Sequence, residues 1–357
     1  MKVFLPANTR QLEERKKLFD MDVCVELKKK GVKFGFEIKG LIGKEGVKTD
    51  LPYGIHLPYD FVSMVCKNES RKWAENLILL IADQNPAPDY VVLHGRRVGD
   101  GRQPSSREKR FISTVGPDDY ERALDQTVKV VQELKRALPS VRVAIENTPF
   151  TDIFQREDSK PPVLETCLCL RVGNLTDSLI SLRQAAGCDI VLDFEHLSFA
   201  FDFAQRSGIY DKLEGKIPSD LSVEEGELIK KCGLFLRKEF VPVVPAPFGI
   251  LEEEVELTRA NIYHFSGSSP VDRWEEIYEG KVAFHSPILP DDKNVIRMLK
   301  FLKRIQLNKD LTFVLEVCGS KDIPSNKHPE IWTARSANAQ RESLKVFCQM
   351  LLDIWCL

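Results

Sequence analysis

The chain has 357 residues, 43% hydrophobic and 29% charged, with a formal net charge of −2, so it can bury a large core and carries no global basic field for nucleic acid. Nine scattered cysteines without a Cys-x-x-Cys pair exclude a zinc ribbon and a disulfide framework and suit free thiols in a reducing cytoplasm. The opening MKVFLPANTRQLEERKK turns charged too early for a secretory signal and no apolar run is long enough for a membrane span, so the expected location is the cytoplasm, with no membrane partner.

Along the chain, the segment at about 10–30 is predicted as a helix packed over the bottom or edge of the fold. Short apolar segments rich in β-branched and aromatic residues then recur: KFGFEI (33–38), YGIHL (53–57), DYVVLHG (89–95) and VRVAIEN (141–147). DIVLDF (189–194), NIYHFSG (261–267), KVAFHSP (281–287) and TFVLEVCG (312–319) complete a set of eight predicted strands. Helical periodicity fills the gaps at 70–84, 117–138, 174–186, 290–307 and 336–355. Two acids follow Pro117, which suits a helix start, and Gly187 suits a helix stop.

Strands that alternate with helices imply a parallel sheet, since parallel neighbours need crossovers. A count of eight, with no Gly-rich phosphate loop in EIKGLIGKEG, favours a closed barrel over an open doubly wound sheet. The expectation is one (β/α)8 domain over 1–357. Two connections exceed a plain crossover. Residues 148–173 are predicted as loop, and a long insert at about 204–258 holds a helical piece, SVEEGELIKKCGLFLRKEF, and a proline-rich run, VPVVPAPFG.

Barrel sites form at the C-terminal ends of strands. Those ends carry His56, His94, Glu146, Asp193 with His196, His264, His285 and Glu316, which uses five of the six histidines and leaves His328 apart. Any one of these is more often a hydrogen-bonded structural residue than a ligand. Eight carboxylates and imidazoles facing one cavity, however, are costly to bury without a cation. Ligands without thiolate suit Zn foremost, with Mn, Fe or Co as alternatives, and their number suits two or three divalent ions sharing a bridging carboxylate. Glu37, on the first predicted strand, either joins this site or plugs the barrel, and the plug is preferred.

At these residues the sequence resembles the endonuclease IV and xylose-isomerase-like barrel superfamily, nearest its endonuclease IV branch. IHLPYDFVSM, VLHG, IENTP, LDFEHLSFAFDF, YHFSGS and LEV follow that branch's motifs in order, over about 33–320, with Gly95 directly after His94 and the branch's proline missing. The resemblance implies one ion on His56, His94 and a bridging Glu146. It implies a second on Glu146, Asp193, His264 and Glu316, and a third using His196 and His285. The family's third ion also takes an Asp two residues before the last His, a position that Ala283 occupies in this chain. Asp272, in PVDRW, is the alternative ligand, although that alignment puts Trp274 where a histidine belongs.

The function so implied is a metal-dependent phosphodiesterase, with abasic or otherwise damaged DNA as one substrate. In it Glu146 or Glu316 handles the proton of the attacking water. Arg96, Arg97 and Arg102, in GRRVGDGRQPSSREKRF, are candidate phosphate clamps, although a charged run is as often a solvated loop. The alternative is an isomerase or epimerase of a small sugar or sugar phosphate. It would use Glu146, Asp193, His264 and Glu316 around a single ion, while His56, His94 and His285 are needed only by the multinuclear hydrolase. A third reading is a non-catalytic metal-holding scaffold that contacts partners through the insert after the fifth predicted strand.

Overall fold

The structure is a computed structural model. It describes residues 1–40, 42, 45–58, 61–66, 68–95, 117–147, 151–154, 163–166, 177–197, 247–267, 285, 287–305, 310–317 and 337–355. Eight parallel strands close into a barrel: β1 (Lys2–Ala7), β2 (Lys33–Lys39), β3 (Tyr53–His56), β4 (Tyr90–His94), β5 (Arg142–Glu146), β8 (Asp189–Asp193), β9 (Ile262–Phe265) and β10 (Thr312–Leu315). The order around the wall is β1-β10-β9-β8-β5-β4-β3-β2.

The strand pairing corrects two expectations. The segment 281–287 is not a stave of this barrel: β9 pairs directly with β10, Ile262 opposite Thr312, which leaves no lateral place between them. Of that segment only 285 and 287 are described, and His285 sits in a bend. The eighth stave is instead the N-terminal β1, with Lys2 opposite Thr312 on one side and Lys33 on the other. Second, 148–173 is not all loop, because β6 (Thr151–Phe154) and β7 (Val163–Thr166) form an antiparallel pair.

Outside the wall lie α1 (Leu12–Lys16), α2 (Asp22–Lys29), α3 (Phe61–Cys66), α4 (Asn68–Ala82), α5 (Pro117–Ala137) and α6 (Asp177–Ala186). They continue with α7 (Pro247–Thr258), α8 (Lys293–Ile305) and α9 (Ala337–Trp355). The predicted opening helix is two, α1 and α2, joined by a 3-10 turn at Lys17–Asp20. The end of the proline-rich run opens α7, a helix that the prolines disguise in the sequence; the helical piece at 222–240 lies outside the described residues. Burial follows helical spacing: α8 buries Val295, Met298, Leu299 and Leu302, the stripe that lets it cover a sheet. Among the described residues no helix is long and apolar enough to cross a membrane.

The barrel interior has its own small core of Phe4, Tyr90, Val92, Ala144, Val191, Ile262 and Val314. Strand side chains alternate between faces, so the residue two beyond each of these also points inward, one layer nearer the C-terminal rim. Val92 leads to His94, Ala144 to Glu146, Val191 to Asp193, Ile262 to His264 and Val314 to Glu316. Hydrophobic and ligand layers are thus consecutive floors of one cylinder. Gly35 and Gly54 make room for the lower floor: a Cβ on Gly54 would lie 2.3 Å from the Tyr90 ring, and one on Gly35 2.0 Å from the Pro52 carbonyl oxygen.

Candidate metal centre

The rim floor brings three groups of donors together, with the ligand atoms of each group all within 4.8 Å of one another: His56, His94 and Glu146; Glu146, Asp193, His264 and Glu316; Asp193, His196 and His285. Glu146 and Asp193 each belong to two groups, so this is one continuous cluster. Six of the eight residues come from the ends of β3, β4, β5, β8, β9 and β10. His196 comes from a helical turn over 194–197, and His285 from a bend rather than the expected strand.

Asp193 explains the Asp-x-x-His spacing. Its Oδ1 accepts the His196 backbone N–H at 2.7 Å, so it caps the turn that carries His196. Its Oδ2 is left facing His264, 3.9 Å from Nδ1. Asn147 straps the tops of β5 and β8 together: its Oδ1 accepts the Asp193 N–H at 2.6 Å and its Nδ2 donates to the Asp193 carbonyl at 2.9 Å. His196 Nδ1 lies 3.0 Å from the Asn147 carbonyl, which can only accept, so Nδ1 carries the proton and Nε2 is the free donor.

Whether a cation fits is decided by atoms that cannot satisfy one another. His56 Nδ1 lies 2.9 Å from the Leu57 carbonyl and must therefore be protonated, which turns the Nε2 lone pair toward Glu146 Oε2, 2.7 Å away. A lone pair facing a carboxylate at that distance is repulsive unless a second proton or a cation is shared between them. His264 repeats the pattern: Nε2 is 3.1 Å from Glu37 Oε2, while Nδ1 is 2.7 Å from Glu316 Oε2 and 3.1 Å from Glu146 Oε1. His264 Nδ1, Glu146 Oε1 and Glu316 Oε2 are all buried and none makes a well-directed hydrogen bond. Imidazole nitrogens and carboxylate oxygens at close range, poorly aimed at one another, could hold a divalent metal ion.

Electrostatics follow the same layout. Burial works to raise Glu146, but His264, His94 and His56 hold it well below the usual carboxylate range. Burial keeps His94 well below its ordinary value, and neighbouring His56 adds to this against the pull of Glu146; neutral imidazole is the ligating form. Burial would also lower His264, yet Glu146 and Glu37 carry it up to about 10. His285, against its burial, is raised by Glu195.

Glu195, Asn147, Glu37 and Lys39 are site residues that strand-end spacing did not assign. Glu195 Oε2 lies 2.7 Å from His285 Nδ1, accepts the His285 backbone N–H at 2.6 Å, and pairs with Ser266 Oγ at 3.1 Å. It thereby holds His285 at φ 65, a left-handed conformation. Glu37 touches the cluster from beneath: Tyr90 Oη donates to its Oε2 at 3.0 Å, and the same oxygen lies 3.1 Å from His264 Nε2. Burial opposes its charge, but His264, Lys39 and His56 pull it down to about 2. Lys39 Nζ pairs with Glu316 Oε1 and lies 3.6 Å from Glu37 Oε1. Glu37 and Lys39 could have been found from the alternation of β2, which puts both on the inner face; Glu195 lacks such a signal, since its partner is ninety residues away. Asp272, Ala283 and Trp274 lie outside the described residues, as do Arg96, Arg97 and Arg102. The third group takes its carboxylate from Asp193 instead.

No family model matches the chain, and no curated protein matches it. Among solved structures, D-psicose 3-epimerase with D-tagatose from Clostridium cellulolyticum H10 aligns over 97% of this chain and 99% of its own, at 10% identity and a TM-score of 0.38. The IolI protein with a binding zinc atom aligns over 100% of this chain and 90% of its own, at 12% identity and a TM-score of 0.40. Likenesses this slight say nothing of chemistry; the barrel stands on its own strand pairing.

Proposed function

We propose that the chain is a divalent-metal-dependent hydrolase of phosphate esters, with two or three ions, Zn foremost, at the barrel rim. The observation that carries this is the sharing of Glu146: its oxygens face His56 and His94 on one side and His264 on the other. His56, His94 and Glu146 would hold one ion; Glu146, Asp193, His264 and Glu316 a second; Asp193, His196 and His285 a third. When bound, such ions polarise a phosphoryl oxygen, acidify water and neutralise developing negative charge.

The chain's own residues do the rest. Glu146, only 1% exposed, is enclosed by imidazoles and suits a bridge rather than a base. Glu316, 6% exposed, stands nearer the open rim and would orient the attacking water and take its proton. Arg96, Arg97 and Arg102 follow β4 in sequence and are proposed to clamp the substrate phosphate. Damaged DNA is one substrate of this class.

A second reading is favoured by one observation. Glu146, Asp193, His264 and Glu316 are by themselves a complete four-donor set, which is enough for a one-ion sugar isomerase or epimerase in which two carboxylates pass a proton between neighbouring carbons. His56, His94, His196 and His285 are surplus to that reading, and they rank hydrolysis first.

The test is a comparison of substrates with added Zn or Mn: a phosphodiester panel that includes abasic DNA against a ketose panel. Phosphodiester cleavage that is lost in His56→Ala and His94→Ala is expected. Turnover of ketoses alone, unaffected by those substitutions, would reverse the order of the two readings.

A further inference from the structure

The four-donor group rests on a layer of charge from β2. Residues 37 and 39 are two apart on one strand, so both side chains enter the barrel, Glu37 beneath the rim floor and Lys39 on it. Glu37 is fully buried, and its Oε2 meets both Tyr90 Oη, at 3.0 Å, and His264 Nε2, at 3.1 Å. Tyr90 is itself fixed, its ring stacked on Phe4 with centroids 6.0 Å apart. An ionised carboxylate only accepts, so the hydrogen of neutral His264 belongs on Nε2 and its lone pair on Nδ1. Nδ1 is the nitrogen that faces Glu146 and Glu316.

Lys39 does the equivalent for Glu316. Its ammonium takes Oε1, and Oε2 is the oxygen left 2.7 Å from His264 Nδ1. The ammonium also lies 3.6 Å from Glu37 Oε1. Glu37, His264, Glu316 and Lys39 therefore form a closed ring of contacts in which each charged group fixes the orientation of the next.

We infer that Glu37 and Lys39 are positioning residues for metal binding: Glu37 selects the His264 nitrogen, and Lys39 the Glu316 oxygen, that face the four-donor group. The inference rests on the metal reading above and holds for either reaction. Partners that orient a histidine ligand through its other nitrogen act on metal affinity, because a ring free to change tautomer or turn must be ordered again on each binding event. A carboxylate serving only as a barrel plug would leave metal affinity untouched.

The experiment titrates zinc alone into metal-free wild type, Glu37→Gln and Lys39→Met against a chromophoric chelator. The His264 tautomer is read from nitrogen NMR shifts of histidine-labelled, zinc-loaded protein, and folding is checked by circular dichroism. Zinc affinity is expected to fall about 10- to 100-fold in each variant. The Nε2 shift of an N–H that donates to a carboxylate is expected to be lost in Glu37→Gln and kept in Lys39→Met. Wild-type affinity in both variants, with the Nε2 shift unchanged in Glu37→Gln, overturns the inference alone. Failure of the wild type to bind zinc overturns it together with the metal reading. Should Glu37→Gln not fold, Lys39→Met decides by itself, since Lys39 is at the rim with 19% of its side chain exposed.

Discussion

His264 concentrates the chemistry of the rim in a single ring. Glu37 faces one nitrogen and Glu146 and Glu316 the other, with Asp193 Oδ2 at 3.9 Å, so without an ion a proton must hold the carboxylates apart. Glu146 and Glu37, against burial, raise the ring from 6.5 to about 10. A raised folded-state value stabilises the native protein fully below the unfolded value and loses that contribution as pH climbs through the folded one. The thermal midpoint of chelator-treated protein is therefore expected to decline between pH 6.5 and about 10. With zinc on Nδ1 the proton is already displaced, so this decline should be absent from the loaded protein. Parallel melting curves for the two forms would show that no such proton is held. All eight expected residues meet at the rim, and six of them were legible in the sequence because each stands where a barrel strand ends. Glu195 was not, because only the folded chain brings it against His285.

Among the elements, β2, β3 and β4 show how the core floor supports the ligand floor. Gly54 has no side chain because the Tyr90 ring occupies the space, and that ring's hydroxyl ends on Glu37. Gly54→Ala would drive a methyl group into a fully buried ring and is expected to cost about 1–3 kcal/mol of stability. Urea unfolding measures this directly; a wild-type midpoint would mean that Tyr90 moves freely and does not pin Glu37. The elements were legible where periodicity was long. The helices expected at 70–84, 117–138 and 336–355 are found at Asn68–Ala82, Pro117–Ala137 and Ala337–Trp355. β1 was missed because KVFLPA is short, carries a proline and sits among charged neighbours, while KVAFHSP offered a better-looking strand. Strand pairing settles the matter, since a stave needs two lateral neighbours and β9 and β10 already have each other.

For the whole molecule, a barrel rim collects one inward side chain from each strand. Six of the eight strands supply a carboxylate or imidazole to it, while β2 supplies Lys39. The closed barrel could be inferred from the chain because parallel pairing demands crossovers and the crossovers are strongly periodic, but the expected count of eight held only because 281–287 stood in for β1. The reaction could not be so inferred, because isomerase and hydrolase draw on overlapping ligand sets and differ in how many ions the set holds. That count is the central proposal, and the acceptors facing acceptors around Glu146 support it. Anomalous diffraction at the zinc edge from crystals grown with zinc measures it most directly. At least two peaks are expected, one among His56, His94 and Glu146 and one among Glu146, Asp193, His264 and Glu316; a rim with a single peak or none would contradict the claim.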